Sequence, residues 1–240
     1  KAQGNYVLIL NSDTMLLGPL KPLLDLMDSD QAIGLMGCAI YDDDMNLYPY
    51  KHHFPNIFSE LYKLTIMSVK DVSSLFTSHK RNEPVNVACV DWVEGCFMLT
   101  RRDILNRAGC MDEGYFLYYE DIDLCYSIEK RLGMKVVYYP YTKVVHSGSK
   151  STNFSDALHL QQYYASCVRY FSKHRGTIYA AVFSMVCISC WIILFTVVGL
   201  SRLVFPKAGR LRRKHDMLIT ALKKAIGDAF KVKSGAKALL

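Results

Sequence analysis

Four residues, Glu120-Asp-Ile-Asp123, carry three carboxylates and follow directly on an aromatic run of Tyr115, Phe116, Tyr118 and Tyr119. Beyond them Leu124, Cys125, Ile128 and Leu132 recur at helical spacing, and Gly133 is a natural stop. The pattern predicts a short amphipathic helix with Glu120 and Asp121 in its first turn. Free backbone N–H groups and the positive end of the helix dipole favour ionised acids there. An acidic cap explains such a pair in an arbitrary helix, but a plain cap needs no wall of rings beside it. A carboxylate against rings at a loop-to-helix junction suits a general base.

The elements that must position this cluster read as an α/β pattern. Tyr6 to Leu10 is a wholly apolar strand, the kind that sits inside a sheet. Its neighbours are expected upstream, so the chain reads as the later part of a longer protein. Asn11-Ser-Asp13-Thr14 follows, and polar groups after a central strand occupy the ligand crevice of an open α/β sheet. Pro22 to Met27 predicts a helix packed on that sheet and Ile33 to Ile40 a buried strand. Asp42-Asp43-Asp44 reads as a solvated turn. Periodicity is weak from Tyr48 to Glu83, where His52, His53 and the aromatics Tyr48, Tyr50, Phe54, Phe58 and Tyr62 read as a connecting excursion with surface histidines, the alternative being the lining of an acceptor-binding cleft.

Val85 to Val90 alternates and leads into Asp91 to Thr100, a strand interrupted at Gly95. A glycine inside a strand marks the close approach of a ligand or another backbone. Trp92 and Glu94 flank it and are candidates for substrate contact, with a packed indole as the plainer role for Trp92. A short helix is expected from Arg101 to Gly109, then a strand from Lys135 to Tyr139 that Pro140 ends. His146 stands just past the apolar Val144-Val145.

The formal charge of +7 divides unevenly: residues 205–240 sum to +8 and the first 204 to −1. A near-neutral body with a cationic tail points to an anionic membrane surface and not to nucleic acid. Thr177 to Ser201 holds no charged residue and is longer than a bilayer's hydrocarbon core needs. Arg169, Lys173 and Arg175 precede it, and Arg202, Lys207, Arg210, Arg212, Arg213 and Lys214 follow. The heavier basic side is C-terminal, which by the positive-inside rule puts the body outside. An in-plane, tilted or re-entrant segment keeps both flanks cytosolic. The eight cysteines show no paired zinc spacing and read as reduced thiols. Four regions are expected: a catalytic domain over 1–150, a helical linker over 151–176, a membrane segment over 177–204 and a basic amphipathic tail over 205–240.

Taken together, Leu10-Asn-Ser-Asp-Thr14, Gly95-Cys-Phe-Met-Leu-Thr-Arg101, the Gly109 to Cys125 block and Val145-His146 resemble family 2 glycosyltransferases of the GT-A type, in the rhamnosyltransferase-like branch. The resemblance covers roughly residues 1 to 150. It implies a GT-A-like, Rossmann-like mixed sheet with flanking helices, whose first, nucleotide-gripping half precedes Lys1. It also implies an inverting transfer from a nucleotide-diphosphate sugar to a lipid-linked or polysaccharide acceptor, at the cytosolic face of the cytoplasmic membrane. Asp121 is then the general base, with Glu120 orienting it and Asp123, Trp92, Glu94 and Gly95 near substrate. Asn11 and Asp13 stand at the family's Asp-x-Asp-type motif and, with His146, are the expected ligands of Mn²⁺ or Mg²⁺. Two other classes fit the same residues. One is a non-catalytic membrane-associated glycan-binding or partner subunit of the same fold. The other is a metal-dependent hydrolase using Asp13 and His146.

Overall fold

The structure, a computed structural model, describes residues 2–50, 52–69, 86–147, 155–204 and 209–235. The chain divides into a sheet unit and a helical unit. The sheet unit holds strands β1 (Tyr6–Leu10), β2 (Thr14–Leu16), β3 (Ile33–Tyr41), β4 (Ala88–Cys89), β5 (Phe97–Arg101) and β6 (Lys135–His146). Its helices are α1 (Lys21–Ser29), α3 (Arg102–Ala108) and α4 (Glu120–Tyr126), the last running on as a π-helical turn over Ser127–Arg131.

Strand order is β1-β5-β3-β6-β2, with β4 paired to β6. β3 and β6 are parallel, β5 is antiparallel to both β3 and β1, and β2 is antiparallel to β6. The C-terminal ends of β1, β3 and β6 therefore share one edge of the sheet, where ligands bind in open α/β folds. All nine residues of β3 are buried, as a strand covered on both faces requires. Met36, Cys38 and Ile40 pack with Leu23 and Met27 of α1 on one face. On the other, Leu35 meets Ile104 and Ala108 of α3 and Leu124 and Cys125 of α4. Each fully buried Leu, Ile or Met contributes about 1.5–3 kcal/mol.

β1 is half-buried and lies at the end of the strand order, paired to β5 alone among the described residues, in keeping with neighbours expected upstream. Two local expectations change. Gly95 lies outside the strand: β5 begins at Phe97, and the preceding residues form a turn closed by the Phe97 N–H donating to the Glu94 carbonyl at 3.3 Å. Pro140 does not end its strand. Cys38 pairs with Tyr139 and Ala39 with Lys143, so residues 140–142 bulge out of the ladder and the missing N–H of proline costs no pairing. The weakly periodic stretch contains α2 (Ile57–Val69), and its part from residue 70 lies outside the described residues.

The helical unit holds α2, the segment Tyr115–Tyr119, α5 (Asp156–Arg175), α6 (Thr177–Val204) and α7 (Gly209–Gly235). Its centre is polar: Glu60 of α2 is fully buried, accepting from Tyr119 Oη at 2.7 Å and Tyr163 Oη at 2.6 Å. Tyr118 Oη meets His159 Nδ1 at 2.7 Å. Tyr118 and Tyr119 of the aromatic run before Glu120 thus serve the centre of the helical unit. Tyr118 and Tyr119 pay for this with left-handed backbone, at φ 66° and 74°.

Candidate active site

The site forms around the turn Glu94-Gly95-Cys96, which meets three chain segments at the ligand edge of the sheet. The Cys96 carbonyl accepts the Asn11 N–H at 3.2 Å, tying the end of β1 to the turn. The Gly95 N–H donates to Asp121 Oδ2 at 2.9 Å, and the Ile122 N–H to Asp121 Oδ1 at 2.8 Å. Both carboxylate oxygens of Asp121 are therefore oriented by backbone. Gly95 is favoured by proximity: a Cβ there would stand 3.3 Å from Asp121 Cβ and 3.4 Å from Oδ2, so the carboxylate would have to give by a few tenths of an ångström. The close approach expected at this glycine is that of the candidate base itself.

Electrostatics mark the same spot. Burial first, then the neighbouring charges of Glu120 and Glu94, push the Asp121 carboxyl up to about 8. Burial also raises Glu120, with Glu94 adding to it. Burial pushes the Cys96 thiol up as well, with contributions from Glu94, Asp121 and Asp13. All three carboxylates thus lie within electrostatic reach of one sulfur. Glu120 Oε2 is buried with no hydrogen-bond partner among the described residues, an acceptor suited to a hydroxyl donor.

Asp13 sits in a turn after β1, closed by the Thr14 N–H donating to the Asn11 carbonyl at 3.1 Å. β2 then pairs with the end of β6, setting Thr14 opposite His146. Asp13 Oδ1 comes to 3.3 Å from His146 Nε2, with about a fifth of each side chain exposed. Two donors sharing a cation at about 2.1 Å each stand about 3 Å apart, so the separation allows one shared divalent ion, and the imidazole suits Mn²⁺ better than the harder Mg²⁺. No group of three His, Cys, Asp or Glu side chains suited to a metal occurs among the described residues. The Asn11 side chain is exposed at the same turn.

The other expected contacts divide. Glu94 Oε1 lies 3.4 Å from His52 Nε2, and the His52 ring stacks on Trp92 at 3.9 Å between centroids. Trp92 Nε1 donates to the His53 carbonyl at 3.1 Å. Trp92 thus fastens the incoming segment, and its contact with substrate gains no support from this packing. Asp123 is 2% exposed, turned about 200° around the helix from Asp121, and has no open face for an acceptor. Two residues of the weakly periodic stretch lie beside these groups: His52, which is half-buried and not a surface histidine, and Tyr48, whose ring lies 6.5 Å from that of His146. Their placement favours the cleft reading over the excursion with surface histidines.

The family model described as glycosyl transferase family group 2 matches residues 6–210. The chain belongs to that family. The match runs through α5 and into α7, well past residue 150. An N-acetylglucosaminyl-diphospho-decaprenol L-rhamnosyltransferase of Mycobacterium tuberculosis is 28% identical over 176 residues, covering 72% of this chain and 57% of its own length. Rhamnosyltransferase WbbL of Escherichia coli K12 is 26% identical over 179 residues, covering 72% of this chain and 64% of its own. This glycosyltransferase chain thus spans about six tenths of the length of the curated relatives it matches. A crystal structure of GalNAc-T7 with UDP, GalNAc and Mn2+ aligns at TM-score 0.40 and 14% identity, over 71% of this chain and 36% of that one; a likeness of that degree carries no argument about ligands. The chain is a rhamnosyltransferase-like, family 2 glycosyltransferase with a GT-A-like mixed sheet.

Proposed function

We propose that the protein is an inverting glycosyltransferase that moves a sugar from a nucleotide-diphosphate donor to a lipid-linked or polysaccharide acceptor in cell-surface glycan synthesis. The observation that carries this reading is Asp121, raised by burial and neighbouring acids yet held at both oxygens by backbone N–H groups. A carboxylate so poised takes the proton of an acceptor hydroxyl as that oxygen attacks the anomeric carbon from the face opposite the leaving diphosphate. Glu120, with its unpartnered Oε2, accepts a second acceptor hydroxyl and raises the basicity of Asp121 by its charge.

Asp13 and His146, with Asn11 beside them, would hold a divalent cation, Mn²⁺ or Mg²⁺. When bound there, the ion offsets the charge that grows on the departing diphosphate. Glu94 is proposed to reach the donor or acceptor from the same turn as Gly95. The two curated relatives are named as rhamnosyltransferases, and the name of one specifies a diphospho-decaprenol acceptor, which supports a lipid-borne acceptor. A body on the cytosolic side of the membrane belongs to the same proposal.

The test is product analysis with the full-length protein, a panel of nucleotide sugars, Mn²⁺ or Mg²⁺, and membranes carrying lipid-linked acceptors. Transfer that requires both acceptor and cation is expected. Sugar release in the absence of acceptor, at the same rate, would favour hydrolysis, and no turnover of any donor would favour a binding subunit.

A further inference from the structure

α6 has two unlike faces within the helical unit. Ala180, Phe183, Cys187 and Trp191 are buried, at about 100° per residue a single stripe. Phe183 packs on Phe171 of α5 at 4.9 Å and Trp191 on Tyr164 of α5 at 5.2 Å. Phe195 stacks on His215 of α7 at 4.4 Å. On the opposite side Ile178, Met185, Ile193 and Leu200 are each at least 60% exposed. With Val182, Val186, Ile192 and Val197 they form one uncharged apolar band about 140° wide.

The hydroxyls on this band are compatible with hydrocarbon. Ser189 Oγ donates to the Met185 carbonyl, Thr196 Oγ1 to Ile192 and Ser201 Oγ to Val197, at 2.8–2.9 Å. A hydroxyl returned to its own helix leaves no unpaired donor in an acyl layer, although the same bond also forms on α7, from Thr220 Oγ1 to Asp216. We propose that α6 lies in the plane of a bilayer as a one-sided anchor, its Ile178-to-Leu200 band seated in the acyl layer of one leaflet and its buried stripe kept by α5 and α7.

Length and composition alone make α6 a candidate span, but its neighbours oppose a crossing. The pairs Phe171–Phe183 and Tyr164–Trp191 run α5 antiparallel along α6, which brings Arg169 level with Met185, more than two turns inside the uncharged run. Gln161 Nε2 donates to the Thr220 carbonyl at 2.8 Å, fixing α7 to α5. A helix crossing the membrane would carry those polar partners into hydrocarbon with it. Lying flat, the unit keeps them on the aqueous side, and α5 and α7 supply the polar face that α6 lacks. Lys173 and Arg175 near one end of α6 and Arg212 and Arg213 of α7 near the other then meet the same anionic headgroups. The conflict with the positive-inside rule disappears, because neither end is translocated. This inference rests on packing in the helical unit and not on sugar transfer.

The full chain, with Cys89 and Cys110 replaced by serine, is added to sealed vesicles of equimolar phosphatidylcholine and phosphatidylglycerol. Thr177→Cys and Ser201→Cys, made one at a time, report each end of α6 through an impermeant maleimide. Both ends are expected to react equally from outside in vesicles recovered by flotation. Ile193→Glu, at an exposed position, is expected to cut vesicle binding about tenfold or more with helix content unchanged by circular dichroism. Protection of one end would overturn the proposal in favour of a span. Failure to float, or self-association that Ile193→Glu abolishes without any vesicle binding, would overturn it equally.

Discussion

The Gly95 N–H and Asp121 Oδ2 are 2.9 Å apart, and this bond joins a turn between strands to the first turn of a helix 26 residues later. The base is thus aimed by a backbone position where any side chain presses on the carboxylate. A methyl group at Gly95 meets Asp121 Cβ at 3.3 Å and its carboxylate oxygen at 3.4 Å. Displacements of about 1 Å in a reacting group cost about a hundredfold in rate. Gly95→Ala is expected to lower kcat of the full-length enzyme by roughly 10- to 100-fold with an unchanged circular dichroism spectrum. A variant of normal turnover would show that the Asp121 geometry is not used.

The raised Asp121 carboxyl sets the sign of a stability change. It ionises at about 8 in the folded chain, against about 3.9 unfolded. Between those values the folded state binds the extra proton, so this group's contribution to stability falls as pH rises through the window. Asp121→Asn removes the penalty while keeping an oxygen for Gly95. The variant is expected to melt higher than the parent at pH 8 to 9, with the gap closing near pH 4. An equal shift at both pH values would show that the carboxyl is not raised.

Asp13 and His146, 3.3 Å apart, are exposed enough to be shared with a ligand. Removing one of two protein donors weakens a cation site whose other positions come from ligand and water. His146→Ala is expected to raise the Mn²⁺ concentration for half-maximal transfer about tenfold or more, with partial recovery at high Mn²⁺. An unchanged requirement would remove His146 from the metal site.

Glu60 tests the helical unit independently of chemistry. Its fully buried carboxylate takes two phenol hydrogen bonds at Oε2 and Lys63 Nζ and Ser59 Oγ at Oε1, each at 2.9 Å. Glu60→Ala strands Tyr119 and Tyr163 and is expected to cost about 3–5 kcal/mol in denaturant unfolding. Lys63→Ala removes a half-exposed partner and is expected to cost about 1 kcal/mol or less. Equal losses would mean that the ion pair, and not the tyrosine pair, holds the carboxylate.

Much of the site was legible in the sequence because its residues stand at strand and helix ends, where residue type and spacing carry position. Asn11, Asp13 and His146 follow apolar runs that form β1 and β6, and Glu120 and Asp121 open α4. What was hidden depended on pairing across the chain. Pro140 reads as a strand end until the three-residue bulge against β3 is known. Gly95 reads as a ligand contact until Asp121 is seen against it. The tyrosines before Glu120 read as a wall for the carboxylates, yet their partners, Glu60, Tyr163 and His159, lie in helices far away in sequence. No periodicity in a single segment encodes such partners.

The most direct measurement is single-turnover sugar transfer by the full-length enzyme carrying Asp121→Asn, with donor binding measured on the same sample. A fall of about 10² to 10⁴ in the chemical step with donor affinity retained is the predicted result. Transfer within about twofold of the parent would contradict the assignment of Asp121 as the base, and with it the proposed reaction.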